Sequence, residues 1–126
     1  MAKKILVVDD ETELLKAISI LLKTSGYEVV TAQDGQEGLE KAKSLSPDLI
    51  VLDILMPKMD GYEVCRLLKF DEKYKSIPII MLTAKVQDID KAMGKKVGAD
   101  DYIAKPFETQ DLIDKIKMYL TNPGSL

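Results

Sequence analysis

The feature that most restricts the fold is a set of three short runs made only of apolar side chains: Ile5 to Val8, Leu49 to Leu52 and Ile79 to Leu82. None alternates with polar residues, so a strand built from any of them needs cover on both faces. A parallel sheet between two layers of helices gives that cover, and the stretches between the runs have the length and amphipathic spacing of helices. Two further strand candidates, Tyr27 to Ala32 and Asp100 to Ala104, mix polar with apolar residues. They suit the sheet edges, where one side meets solvent.

Leu14, Ile18, Leu21 and Leu22 recur at helical spacing, with Gly26 placed for a left-handed C-terminal cap. Asp34 is an N-cap candidate for a second helix that carries Leu39 and Ala42 and is ended by Pro47. A third helix is predicted from about Tyr62 to Phe70 with Val64, Leu67 and Leu68 inward, and a fourth over roughly Gln87 to Val97 before Gly98. The last places Leu112, Ile113, Ile116 and Leu120 on one stripe. Five βα units with right-handed crossovers result. Chain order and edge assignment together give an α/β, flavodoxin-like (βα)5 doubly wound parallel sheet with strand order 2-1-3-4-5.

A chain of 126 residues has room for one domain, predicted over residues 1–121. Residues 122–126 read as a tail or truncated linker, since Pro123-Gly124-Ser125 cannot continue a helix. The hydrophobic fraction of 46% and charged fraction of 31% suit a soluble domain with a core. With 18 basic and 21 acidic residues the net charge is -3, which argues against direct nucleic-acid binding by this domain. The apolar run after Lys3-Lys4 is too short for a signal-peptide core, and no run approaches a membrane span, so the expected location is the cytoplasm.

Histidine is absent altogether. That removes Ser-His and Cys-His nucleophile pairs, imidazole acid/base chemistry and His-containing zinc sites. The single cysteine, Cys65, has no internal disulfide partner and falls on a predicted helix, where an inert thiol is expected. Met56, Met81, Met93 and Met118 read as core or surface fillers rather than as a ligand set.

In an open parallel sheet, ligands bind beyond the carboxyl ends of the strands where the strand order reverses, here between the first and third strands. Asp9 and Asp10 follow the first strand, with Glu11 next, and Asp53 follows the third. Neighbouring carboxylates repel and raise one another's pKa unless a cation intervenes. Oxygen-only ligands select a hard cation, and a site that keeps several waters suits magnesium better than a closed calcium cage. Capping of the first helix accounts for one such acid but not for the whole group. Thr83 after the fourth strand and Lys105 after the fifth add a hydroxyl and an ammonium to the same rim.

Asp9-Asp10, the run Asp53-Ile-Leu-Met-Pro-Lys-Met-Asp-Gly61, Thr83-Ala84 and the run Gly98-Ala-Asp-Asp-Tyr-Ile-Ala-Lys-Pro-Phe107 resemble the receiver domain of two-component response regulators, from Lys3 to about Leu120. That resemblance implies a phosphorylation-activated switch with Asp53 as phosphoacceptor and magnesium as cofactor. Asp10 and the Leu55 backbone carbonyl would join Asp53 as direct ligands, with Asp9 acting through water. Thr83 and Lys105 would contact the phosphoryl oxygens, Tyr102 would be the aromatic switch residue, and Lys105-Pro106 would be a cis step. The implied donor is a histidine kinase or histidine phosphotransfer protein. The implied output is a partner protein or an output domain, controlled through the face formed by the fourth helix, fifth strand and last helix.

Elementary chemistry agrees with these roles. Phosphoryl transfer needs positioning and charge neutralisation more than covalent work from the protein, and Lys105 and Thr83 are a point cation and a donor for the oxygens that gain charge. The added charge would pull Thr83 inward and vacate space for Tyr102. Pro57 and Gly61 shape the loop after Asp53. By the same resemblance, Leu55 and Lys85 lie near the path of an attacking water and are expected to tune phosphate lifetime.

Lys95 stands where dimerising receivers of this family usually carry Leu, so a monomer is expected, with a phosphorylation-dependent dimer as the alternative. Lys91, Asp101, Asp111 and Lys115 would be the charged part of that interface. Three other readings compete. A haloacid-dehalogenase-type phosphohydrolase needs an acid where Leu55 stands, and a flavin carrier would meet repulsion from Asp9-Asp10-Glu11. A degenerate docking receiver is disfavoured because every expected site residue is present.

Overall fold

The unbroken run after Lys4 becomes the centre of the sheet. In the computed structural model, which describes residues 2–56, 58–83 and 98–121, β1 (Lys4–Val8) pairs in parallel with β2 (Glu28–Ala32) on one side and with β3 (Leu49–Asp53) on the other. Beyond β3 come β4 (Ile79–Thr83) and β5 (Asp101–Ala104), giving the order β2-β1-β3-β4-β5. This is the expected strand order, with both mixed-composition strands at the edges.

Side chains alternate between the two faces of each strand, which divides the core into two layers. Ile5, Val7, Leu49, Val51, Ile80 and Leu82 are packed with Leu15, Ile18 and Leu22 of α1 (Thr12–Thr24) and with Leu112 and Ile116 of the last helix (Thr109–Thr121). Leu6, Val8, Ile50, Leu52, Ile79 and Met81 are packed with Leu39 and Ala42 of α2 (Gly35–Leu45) and with Val64, Cys65 and Leu68 of α3 (Gly61–Lys69). The three apolar runs are fully covered on both faces, as their composition requires.

The helix ends follow from local chemistry. Ser25 caps α1, and Gly26 follows with φ 96°, in the left-handed region that suits glycine. Asp34 caps α2 by accepting the Glu37 N–H at 2.8 Å, and α2 stops at Leu45, two residues short of Pro47. Asp60 caps α3 in the same way, accepting the Glu63 N–H at 2.9 Å.

The structure shifts some details of the sequence reading. Leu15 rather than Leu14 is buried in α1, and Leu14 and Leu21 are half-buried. Cys65 belongs to the buried face of α3, where burial pushes its thiol up to about 12, in keeping with an inert group. Met81 is fully buried, Met56 is half-buried and Met118 is exposed. Asp53 and Thr83 are the last residues of their strands rather than the first residues of loops. The expected helix over Gln87 to Val97 lies outside the described residues, with Ala84, Lys85, Lys91, Met93 and Lys95, as do Pro57 and the predicted tail at residues 122–126.

Candidate functional site

β1 and β3 are neighbours in register, Val8 opposite Leu52, so the residues that follow them meet at one rim. Asp9 continues the β1 ladder, its N–H donating to the Ala32 carbonyl at 3.1 Å, and its side chain is fully buried. Its Oδ1 accepts the Glu11 N–H at 2.8 Å. Asp10 is exposed, whereas Asp53 is buried at the end of β3. Asp9, Asp10 and Asp53 each present a carboxylate oxygen within 4.8 Å of the others.

Lys105 reaches the same point from the end of β5. Its Nζ lies 2.9 Å from Asp9 Oδ2, 2.8 Å from Glu11 Oε1 and 3.5 Å from Asp53 Oδ1. The Lys105 N–H donates to the Thr83 carbonyl at 2.6 Å, which sets the ends of β4 and β5 side by side. The peptide bond to Pro106 is cis, as the family resemblance implies. Thr83 is buried opposite Ala104, and Met81 is opposite Tyr102. Thr83 and Tyr102 therefore direct their side chains to the same face of the sheet. Tyr102 is half-buried against the core layer that contains Met81.

Four carboxylates against one ammonium, which touches three of them, make a strongly negative rim. Burial, the Asp9 charge and, more weakly, the Asp10 charge push the Asp53 carboxyl up to about 6, against the opposing pull of Lys105. The expected carboxylate repulsion is present, but desolvation comes first. Burial alone would lower the Lys105 ammonium, yet its hydrogen bonds to Glu11 and Asp9 and the charges of Asp9 and Asp53 prevail and hold it above the ordinary lysine range. Chemically, the rim suits a hard divalent cation at the carboxylates, and it offers a cation beside a buried carboxylate.

The structure brings the Asp9, Asp10 and Asp53 carboxylates and the Lys105 ammonium together, and Thr83 ends the neighbouring strand β4, its carbonyl bonded to the Lys105 N–H. Leu55 sits on the exposed loop beyond β3 and offers no acid two positions past Asp53. The Glu11–Lys105 ion pair has no signature in the sequence, because the two residues lie 94 positions apart and Glu11 reads as one more rim charge. Asp101 and Lys115, expected to face a partner, pair with each other at 3.1 Å, and the Tyr119 hydroxyl donates to Asp101 at 3.2 Å.

A model of the response regulator receiver domain matches residues 5–117. The chain belongs to this family. The receiver is 48% identical over 120 residues to the alkaline phosphatase synthesis transcriptional regulatory protein PhoP of Bacillus subtilis, an alignment covering 95% of this chain and 49% of PhoP. It thus spans about half the length of that curated relative. Among solved structures it resembles the chemotaxis response regulator CheY4 of Vibrio cholerae, with 38% identity, a TM-score of 0.89, and coverage of 95% of this chain and 100% of that one. It also resembles the receiver domain of a sensor histidine kinase from Pseudomonas aeruginosa PAO1, solved with a magnesium ion coordinated in its active-site cleft. That pair shares 30% identity and a TM-score of 0.89 over 97% of this receiver and 100% of the other. The receiver contains no described helix long and apolar enough to cross a membrane.

Proposed function

We propose that this receiver, formed by residues 1–121, takes a phosphoryl group onto Asp53 from a histidine kinase or histidine phosphotransfer protein and relays the change to a partner or output domain in the cytoplasm. The observation that carries the reading is the buried Asp53 carboxylate at the end of β3, faced by Asp9, Asp10 and Lys105. An Asp53 oxygen bonds to phosphorus while the phosphorus–nitrogen bond of the donor's phosphohistidine breaks. The electron pair and a proton go to the imidazole, which this chain lacks.

The oxygen-only cluster of Asp9, Asp10 and Asp53 fits magnesium; Asp10, Asp53 and the Leu55 carbonyl would hold it directly and Asp9 through water. When bound, magnesium neutralises charge between acceptor and phosphoryl oxygens. Lys105 and Thr83 meet the remaining oxygens. Drawing Thr83 toward them opens room on the face it shares with Tyr102, which turns inward and alters the surface around β5 and the last helix.

Incubation with acetyl phosphate or phosphoramidate and magnesium is expected to add one phosphate by intact mass, and Asp53→Asn to abolish it. Undiminished labelling of that variant overturns the assignment.

A further inference from the structure

We infer that Glu11 is a positioning residue for this chemistry: in the resting receiver its carboxylate holds Lys105 on the outer rim, in competition with Asp53. The inference rests on the phosphoacceptor reading of Asp53.

An ammonium has three N–H donors to distribute. At Lys105 the two short contacts, 2.8 Å to Glu11 and 2.9 Å to Asp9, go to carboxylates that do not react, and the acceptor Asp53 stands farthest at 3.5 Å. The two holders differ. Asp9 is fully buried and fixed by the Glu11 N–H, whereas the Glu11 side chain is 61% exposed. Glu11 occupies the N-cap position of α1, but its side chain makes no capping hydrogen bond, so the helix does not depend on that carboxylate.

A phosphoryl group on Asp53 puts up to about two negative charges at the far side of Lys105 in place of the carboxylate's one. To meet it, the ammonium must close the 3.5 Å gap and loosen its hold on the rim. Glu11 opposes that movement, so it weakens the phosphorylated state relative to the resting one. Its length matters as well as its charge, because the contact spans from the start of α1 to the end of β5.

Isothermal titration with beryllofluoride and magnesium, alongside acetyl phosphate labelling, tests this on the intact chain. Glu11→Gln is expected to bind the phosphoryl mimic roughly two- to fivefold more tightly, the effect of an exposed ion pair, and to label correspondingly faster. Glu11→Asp keeps the rim charge but shortens the reach, and is expected to show a gain in the same direction. No gain in Glu11→Gln overturns the inference. So does a gain in Glu11→Gln with Glu11→Asp unchanged, which assigns the effect to bare charge. Failure of the unsubstituted protein to label at Asp53 overturns the phosphoacceptor reading and this inference with it. A labelled wild type with unmoved variants overturns the inference alone.

Discussion

Gly61 lies directly against Asp53. Its N–H donates to the Ile54 carbonyl at 2.7 Å, and a Cβ built on it would overlap the Asp53 carbonyl oxygen and stand 2.8 Å from Ile54 Cα. Both obstacles are backbone, so neither can rotate away. Gly61→Ala is expected to cost about 1–3 kcal/mol from overpacking, less the helix propensity that alanine gains in the first turn of α3. Because the strain falls on the peptide group of Asp53, the proposed acceptor, acetyl phosphate labelling should slow as well. An unchanged urea midpoint with unchanged labelling would contradict this packing.

Asp53 is held in a place that disfavours its charge. Its carboxyl, pushed up to about 6 from 3.8 chiefly by burial, binds its proton more tightly in the folded chain than in the unfolded one. The stabilisation from that proton is complete below about pH 4 and is lost as pH rises through about 6. Asp53→Asn should therefore stabilise the metal-free protein at pH 7.5 by up to roughly 3 kcal/mol and give little gain at pH 4. Urea unfolding in EDTA at both pH values reads this directly. An equal gain at both would mean that the Asp53 charge is not the cause.

Asp10 differs from its neighbour by being exposed. Asp10→Asn should change stability by no more than about 0.5 kcal/mol, toward stabilisation because it removes one repulsion on Asp53. Magnesium affinity should fall by about tenfold or more, the ratio that ~1.4 kcal/mol produces. Titration calorimetry with magnesium alone measures it. Unaltered affinity would remove Asp10 from the ligand set.

At the opposite end of the sheet, Lys69 Nζ lies 2.7 Å from Asp100 Oδ2 and donates to the carbonyls of Ile77 at 2.8 Å and Lys75 at 3.1 Å. Asp100 Oδ2 also accepts the Ile79 N–H at 2.8 Å, so the pair joins the end of α3 to the starts of β4 and β5. Lys69→Met keeps the aliphatic stem but strands these acceptors. Its expected cost is about 2–3 kcal/mol, below that of a fully buried pair because Asp100 is partly exposed. Chemical denaturation supplies the comparison, and a neutral substitution would show that the contact adds nothing net.

The sheet was legible because each of its three central strands contains an unbroken run of four apolar residues, leaving one way to cover them. Asp53, Thr83 and Lys105 were legible for a related reason: each stands where an apolar or β-rich stretch ends, and parallel strands bring their ends to one rim. What could not be read was which neighbour faces inward. Asp9 and Asp10 are chemically identical, and only the ladder bond from Asp9 to Ala32 shows that the first stays within the fold. The Glu11–Lys105 contact depends on tertiary closure alone, with no spacing pattern between its partners. Asp60 had a local signature, an acid three residues before Glu63, but the surrounding Met-Asp-Gly stretch reads first as a turn.

β5 is anchored differently at its two ends. Where it begins, Asp100 and Asp101 bind it to α3 and to the last helix through Lys69 and Lys115. Where it finishes, Lys105 answers to charges on β1 and β3. The strand is a bar bolted at its foot to two helices and held at its tip by the charges of the rim, with Tyr102 between the two. A signal arriving at the tip need not move the foot. One ammonium exchanging carboxylate partners is a displacement small enough to leave the sheet intact, yet it acts at the end of the strand that carries Tyr102.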